Sequence, residues 1–258
     1  MNIKILVAAH KQFPMPQDKT LYLPVLVGAT QNATDRITYQ RDDQGENISN
    51  KNYSYNELTA VYWAWKNLKN VDAVGLIHYR RVFLKSAKRS LNNLITQQQI
   101  EKMFEKSDVI LPTKRHYYIE TNYSHYVHAH KQEPLDVTRI IIKQYYPEYL
   151  GSFDKIMKKR SAYMFNMFIM KKKNFDDYCT WLFSVLGRLE ENIDISEYSV
   201  QEKRVFGYIS ELLMDVWIEQ NNVRYTENKW GQLGKRYLIK KAYSFIMRKL
   251  GRNENTHF

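Results

Sequence analysis

Val71-Asp72-Ala73-Val74-Gly75-Leu76-Ile77, followed at once by His78-Tyr79-Arg80-Arg81, is the stretch that decides how this chain is read. The first seven residues read as a buried strand, and the next four put one imidazole and two guanidiniums where it ends. In an α/β sheet that end opens onto the crevice where ligands bind. Arginine stays charged at any accessible pH and offers fixed, paired donors to phosphate oxygens, so the cluster asks which phosphate it holds. Without the strand before it, Arg80-Arg81 would read as a solvated basic turn.

Outward from this point, short apolar runs alternate with helical patterns through the first half, which indicates α/β architecture with a largely parallel sheet. Ile3 to Ala8 reads as the first strand, Val25 to Ala29 as the second, and Gln31 to Asn52 as a long polar loop. Asn56 to Leu68 reads as the helix that leads into the strand delivering His78, and Ser107 to Pro112 as a further strand. Asp136 to Tyr146 and Phe153 to Lys159 have helical spacing. Ala162 to Met170 reads as a strand with Asn166 at its centre, where a buried amide without partners costs about 1–3 kcal/mol. Phe175 to Leu189 and Gln201 to Gln220 are the strongest helical patterns, so the second half is helix-rich.

A chain of 258 residues that is 44% hydrophobic can bury a full core, and its nine Gly and six Pro are spread too thinly to form a linker. One main unit over residues 1–230 with a tail over 231–258 is therefore expected. The single cysteine, Cys179, permits no intrachain disulfide and reads as a small packed hydrophobe in a reducing compartment. Met1 to His10 reads as a strand and not as a signal peptide, and no apolar stretch reaches the length of a membrane span, so a cytoplasmic location is expected.

The net charge of +12 is unevenly placed: residues 235–258 hold seven Lys/Arg against one Glu and contribute half of it. There Leu238, Ile239, Ala242, Phe245, Ile246 and Leu250 follow helical spacing among basic residues. That pattern fits a basic C-terminal helix lying on an anionic membrane surface. A terminal helix packed on the domain and a nucleic-acid partner are the alternatives.

No phosphate-binding Gly-rich loop, dinucleotide GxGxxG, GxSxG elbow or HExxH is present. His125, His128 and His130 lie close together but lack the ligand spacing of a zinc site, and read as a polar loop whose rings hydrogen-bond. Nucleotide-sugar transferases of the α/β class often hold a divalent cation on an Asp-x-Asp pair at the end of a central strand. This chain has no Asp-x-Asp, and has His78-Tyr79-Arg80-Arg81 in that place. Cationic side chains can stabilise a departing diphosphate themselves, so a metal-independent transferase is the expectation, with no cofactor.

Over residues 1 to 227 the chain resembles a family of bacterial capsular and exopolysaccharide glycosyltransferases (domain of unknown function 4422), similar to the galactofuranosyltransferase family numbered 111. The resemblance rests on Lys4-Ile5-Leu6-Val7-Ala8-Ala9-His10-Lys11, on Asn47-Ile48-Ser49 and on Glu57 through Asn67. Gly75 through Arg81, Asn166 through Met170, Tyr178 through Phe183 and Arg204 through Glu211 add to it. It implies a GT-A-like nucleotide-sugar-binding fold and inverting transfer of a hexose, galactofuranose for the numbered family, from a UDP-sugar. The implied acceptor is a polyprenyl-diphosphate-linked glycan at the inner membrane face. Leu212 stands where the family usually has Arg after Ser-Glu, which puts the sugar or the rate in doubt.

Inversion needs one carboxylate to take the acceptor's proton, and Glu211 is the candidate, with Asp108 and Asp136 in reserve. Arg80 and Arg81 are assigned to the donor diphosphate, and His78 to the same phosphates or to the acceptor, against a satisfied core histidine. His10, Asn47 and Asn52 are expected near the uridine, Glu57 beside the basic cluster, and Asn166 facing sugar or acceptor. Arg204 is expected to pair with phosphate or with Glu211. The competing reading is a non-catalytic protein binding nucleic acid or another anionic polymer, motivated by a pI near 9.5 and 20 tyrosines. The transferase reading expects no nucleic acid.

Overall fold

The fold was analysed in a computed structural model that describes residues 1–234; the expected basic helix lies outside the described residues. Eleven strands are present among them: β1 (Ile3–Ala9), β2 (Tyr22–Leu26), β3 (Gln40–Arg41), β4 (Ala73–His78), β5 (Arg81–Phe83), β6 (Val109–Pro112), β7 (Arg115–His116), β8 (Ser161–Ala162), β9 (Phe168–Lys171), β10 (Tyr225–Asn228) and β11 (Trp230–Gln232). The helices are α1 (Ala29–Asn32), α2 (Asn52–Tyr55), α3 (Leu58–Asn67), α4 (Gln97–Phe104), α5 (Asn122–Ala129), α6 (Glu133–Tyr145), α7 (Leu150–Lys158), α8 (Lys172–Asn192) and α9 (Val205–Gln220).

The main sheet runs in the order β10-β6-β9-β4-β1-β2-β3, with β5 branching from β4 and carrying β11. All neighbours in the main path are parallel except at β9, which runs antiparallel to both β4 and β6. This is the expected mixed, mostly parallel sheet with a helix-rich second half. The domain continues through β11, across residue 230.

Side chains alternate across the sheet as the two-residue period of a strand requires. Leu6, Val74, Leu76, Val109, Leu111, Phe168 and Met170 face a core covered by α3 and α6 to α9. Ile3, Ile5, Val7, Ala73, Ile77, Ile110 and Ile169 face a second core closed by α4 and β5. Cys179 is fully buried in the first of these, as a small hydrophobe would be. No described helix is long and apolar enough to cross a membrane.

Three expectations are corrected. The second strand is Tyr22–Leu26, not Val25 to Ala29, because Pro24 is tolerated inside it. Val27 N–H donates to Ala9 O (3.0 Å), so odd positions of β2 face β1, and Pro24 faces the side where β3 pairs only with Val25 and Leu26. His125 and His128 lie in helix α5, not in a loop. Thr121 and Ser124 form its capping box, and Asn122 anchors it by donating to Ile156 O (2.8 Å) and Ser161 O (3.1 Å). Ala162 to Met170 is two strands broken by Phe165 (φ 74°) and Asn166 (φ 52°), so Asn166 sits in a left-handed turn and not at a strand centre.

Candidate functional site

Ala8 of β1 pairs with His78 of β4, so these parallel strands end side by side. Past them the chain diverges to His10 on one side and into the two-residue turn Tyr79-Arg80 on the other, with His78 paired to Arg81 across that turn. The resulting cleft, of about 380 Å³, is lined by His10, Asn52, Asn56, Glu57, His78, Tyr79, Arg80, Arg81, Arg204 and Gln232, among others. It opens at the carboxyl ends of parallel strands, as an α/β ligand site does.

Three guanidiniums converge there, and no described carboxylate oxygen lies within 4.0 Å of any of them. Arg81 stacks on Phe165 (4.2 Å to the ring centroid) and Arg80 on Tyr79 (5.1 Å). Burial lowers the pKa of Arg81, and the charges of Glu211 and Glu57 oppose that shift. Burial, then Lys11, Arg80 and Arg204, likewise lower His10 below the usual imidazole value, which marks the cleft as electropositive. Such an array is built to receive an anion.

Arg204 is aimed by Asn56: its Nε donates to Asn56 Oδ1 (2.9 Å), and Asn56 Nδ2 donates to Arg204 O (3.4 Å). Asn56 holds φ 51° and ψ −127°, outside the regions a non-glycine residue favours, and Asn52 Nδ2 fixes it through Asn56 O (2.7 Å). Strain of this kind, of order 1–3 kcal/mol, is retained where the surroundings impose it. Gly207 allows the approach, since a Cβ there would lie 2.5 Å from Asn56 Nδ2.

Behind the cleft the turn at Phe165-Asn166 organises both carboxylates. Asn166, 3% exposed, donates from Nδ2 to Glu57 Oε1 (2.8 Å) and Gly207 O (3.1 Å), and its Oδ1 accepts from Ser210 Oγ (2.9 Å). The carbonyl of Phe165 can only accept, so the 2.6 Å contact with His78 fixes the proton on Nε2. Burial lowers the pKa of His78, which leaves a neutral ring with Nδ1 as an acceptor. The Phe165 N–H favours the ionised form of the Glu211 carboxylate. Burial and then the charge of Glu57 raise Glu211 to about 7, against the pull of that N–H, Arg81 and Arg204.

Glu211 does not line the arginine cleft. It lines an adjoining cavity of about 60 Å³ with Tyr117, His125, Tyr126, His130 and Tyr208, where Tyr117 stacks on His125 and His130 on Tyr208 (each 3.9 Å). Leu212 lines the same cavity.

Of the residues singled out in the sequence, His10, Asn52, Glu57, His78, Arg80, Arg81 and Arg204 come together on the cleft, with Asn166 and Glu211 directly behind. Asn47 does not join them: its amide donates to Asp43 O (3.1 Å) and Gly45 O (2.8 Å) and shapes its own loop. Asp108 pairs with Lys171 and Arg224 at the amino end of β6, away from the carboxyl ends that form the cleft, and Asp136, on α6, accepts from Tyr123 and Gln132. Asn56 and Gln232 were not found from the sequence, since neither belongs to a motif. Nor was Asp42, which is fully buried and accepts from Gly28 N, Ala29 N, Ser49 Oγ and Thr59 Oγ1 at 2.5–2.9 Å. These bonds hold the Gly28 turn (φ 60°) against Asn52. Among the described residues no three His, Cys, Asp or Glu side chains gather as metal ligands.

A family model, described as "Domain of unknown function (DUF4422)", matches residues 4–222. The chain belongs to this family. Among solved structures, the DUF4422 chain is similar to the apo structure of the bifunctional glycosyltransferase WbbM, with a TM-score of 0.81 and 30% identity over 91% of the chain. It spans 46% of the length of that protein. No curated protein matches the sequence significantly.

Proposed function

We propose that the protein is a glycosyltransferase of bacterial surface-polysaccharide assembly, moving a hexose from a UDP-sugar to a polyprenyl-diphosphate-linked glycan with inversion and without a metal. The observation that carries this reading is the convergence of Arg80, Arg81 and Arg204, unpaired with carboxylates, on a cleft at the carboxyl ends of β1 and β4. The likeness to WbbM, a bifunctional glycosyltransferase, supports the transferase class. Galactofuranose is the donor sugar that the family resemblance favours.

In this reading the arginines hold the diphosphate, while His10 and Tyr79 border the nucleoside end. The acceptor enters from the aromatic cavity, and Glu211 takes its hydroxyl proton as that oxygen bonds to the anomeric carbon and the carbon–phosphate oxygen bond breaks. A base titrating near 7 is matched to that work. Charge developing on the departing UDP meets guanidiniums already in place. Neutral His78 serves as a polar wall between the two sides. Glu57 is the second candidate base, because it is the carboxylate on the arginine cleft itself.

The composition of residues 235–258 supports a peripheral position on the inner membrane face. The test is UDP release from UDP-galactopyranose and UDP-galactofuranose, with bacterial membrane extract as acceptor, in EDTA. Turnover in chelator supports the reading, and turnover that requires added manganese contradicts its metal-free part.

A further inference from the structure

Among the described residues, Tyr118 (81% exposed) and Ile119 (75%) are large hydrophobic side chains that stand adjacent and in solvent, while Val200 (83%) stands alone. The backbone holds them there. Ile119 N–H donates to Tyr117 O (2.7 Å) across Tyr118, whose φ is 63°, making a tight three-residue turn of a rare, strained type. The turn follows the β7–β8 ribbon, and Tyr117 N–H donates to Arg160 O (2.9 Å). Arg160 Nη1 in turn donates to Tyr118 O (3.3 Å).

Two guanidiniums flank this tip. Arg115 and Arg160 are exposed, and no described carboxylate pairs with either. The nearby acids are turned away: Glu120 accepts from His125 and His128, Asp215 lies by Lys114, and Glu219 pairs with Lys155 and Lys159. An aromatic and an aliphatic tip flanked by two guanidiniums without carboxylate partners matches a lipid surface, whose interface takes the apolar groups and whose phosphates take the guanidiniums. Two side chains are too small an area for a stable protein partner.

We infer that the Tyr118-Ile119 turn inserts into an anionic membrane, with Arg115 and Arg160 on the headgroup phosphates. It is distinct from the basic segment 235–258 and belongs to the described fold. Tyr117, next to the tip, lines the cavity of Glu211, so insertion would bring that cavity to the lipid surface. This last consequence rests on the proposed transferase reading; the membrane contact itself does not.

Cys179, the chain's one cysteine, is fully buried, so Ile119→Cys carries the only accessible thiol and can be labelled with nitrobenzoxadiazole in the full chain. On vesicles of phosphatidylcholine with phosphatidylglycerol the label is expected to shift to the blue and to be quenched by nitroxide-bearing acyl chains, and not on phosphatidylcholine alone. Arg115→Ser with Arg160→Ser should weaken vesicle binding by about tenfold, on the scale of one to two interfacial charges. A label that stays aqueous while the protein sits on the vesicles, or no binding to anionic vesicles, overturns the inference. UDP titration of the labelled protein reads the donor site separately, so either idea can fail without the other.

Discussion

Glu57, on the arginine cleft, and Glu211, in the adjoining aromatic cavity, meet at the Phe165-Asn166 turn: Asn166 Nδ2 donates to Glu57 Oε1 (2.8 Å), and the Phe165 N–H favours the ionised form of Glu211. Burial raises Glu211, and the negative charge of Glu57 adds to it, so that its carboxyl titrates at about 7. One carboxylate thereby adds to what burial does to the proton affinity of the other.

Removing the proposed base tests the division of labour between the two cavities. Glu211→Gln is expected to lower kcat by roughly 10²–10⁴-fold with UDP affinity unchanged, because the group lines the aromatic cavity and not the arginine cleft. Steady-state kinetics beside a UDP titration measure both. Unchanged kcat would pass the role to Glu57.

The pH profile carries a sign. A base must be deprotonated, so kcat/KM should rise through about pH 7 as Glu211 ionises. Glu57→Gln removes a neighbouring negative charge, which favours the ionised form and moves the rising limb to lower pH. A limb that stays in place would mean that Glu57 does not govern the titrating group.

Gly207→Ala pushes a methyl to 2.5 Å from Asn56 Nδ2, and Asn56 aims Arg204. The expected result is a loss of UDP affinity of about tenfold, near the worth of one charged hydrogen bond, with the thermal unfolding profile largely kept. Wild-type affinity would show that Arg204 is not needed for the anion.

Asp215 gives a stability test away from catalysis. It is 3% exposed, accepts from Tyr163 N (3.0 Å), and burial raises its pKa from 3.8 to about 6. The folded state thus holds a proton that the unfolded state has released, so stability falls as pH rises from about 4 to about 6. Asp215→Asn should remove about 3 kcal/mol of that fall at most, read by denaturant unfolding across this range. Parallel curves for the two proteins would contradict it.

The strand from Val71 and the cluster it delivers were legible because β4 is buried on both faces and a run of apolar residues says so directly. The strong periodicity of α8 and α9 was equally plain. What escaped were features decided by tertiary contacts. Asn166 looked like a strand residue because its neighbours are apolar, yet its bonds to Glu57, Gly207 and Ser210 hold a left-handed turn. Helix α5 is poor in strong helix formers and is sustained by its capping box and by Asn122. Asn56 carries no motif, because its role rests on a backbone angle that no pattern of residue types encodes.

The central claim is that the arginine cleft binds the diphosphate of a UDP-sugar without metal. Calorimetric titration of UDP in EDTA, into the wild-type protein and Arg80→Ala, tests it most directly. The account predicts binding to the wild type and a loss of at least about tenfold in the variant, the scale of one charge-assisted contact to phosphate. No binding of UDP to the wild type in EDTA, or equal binding to both proteins, would contradict it.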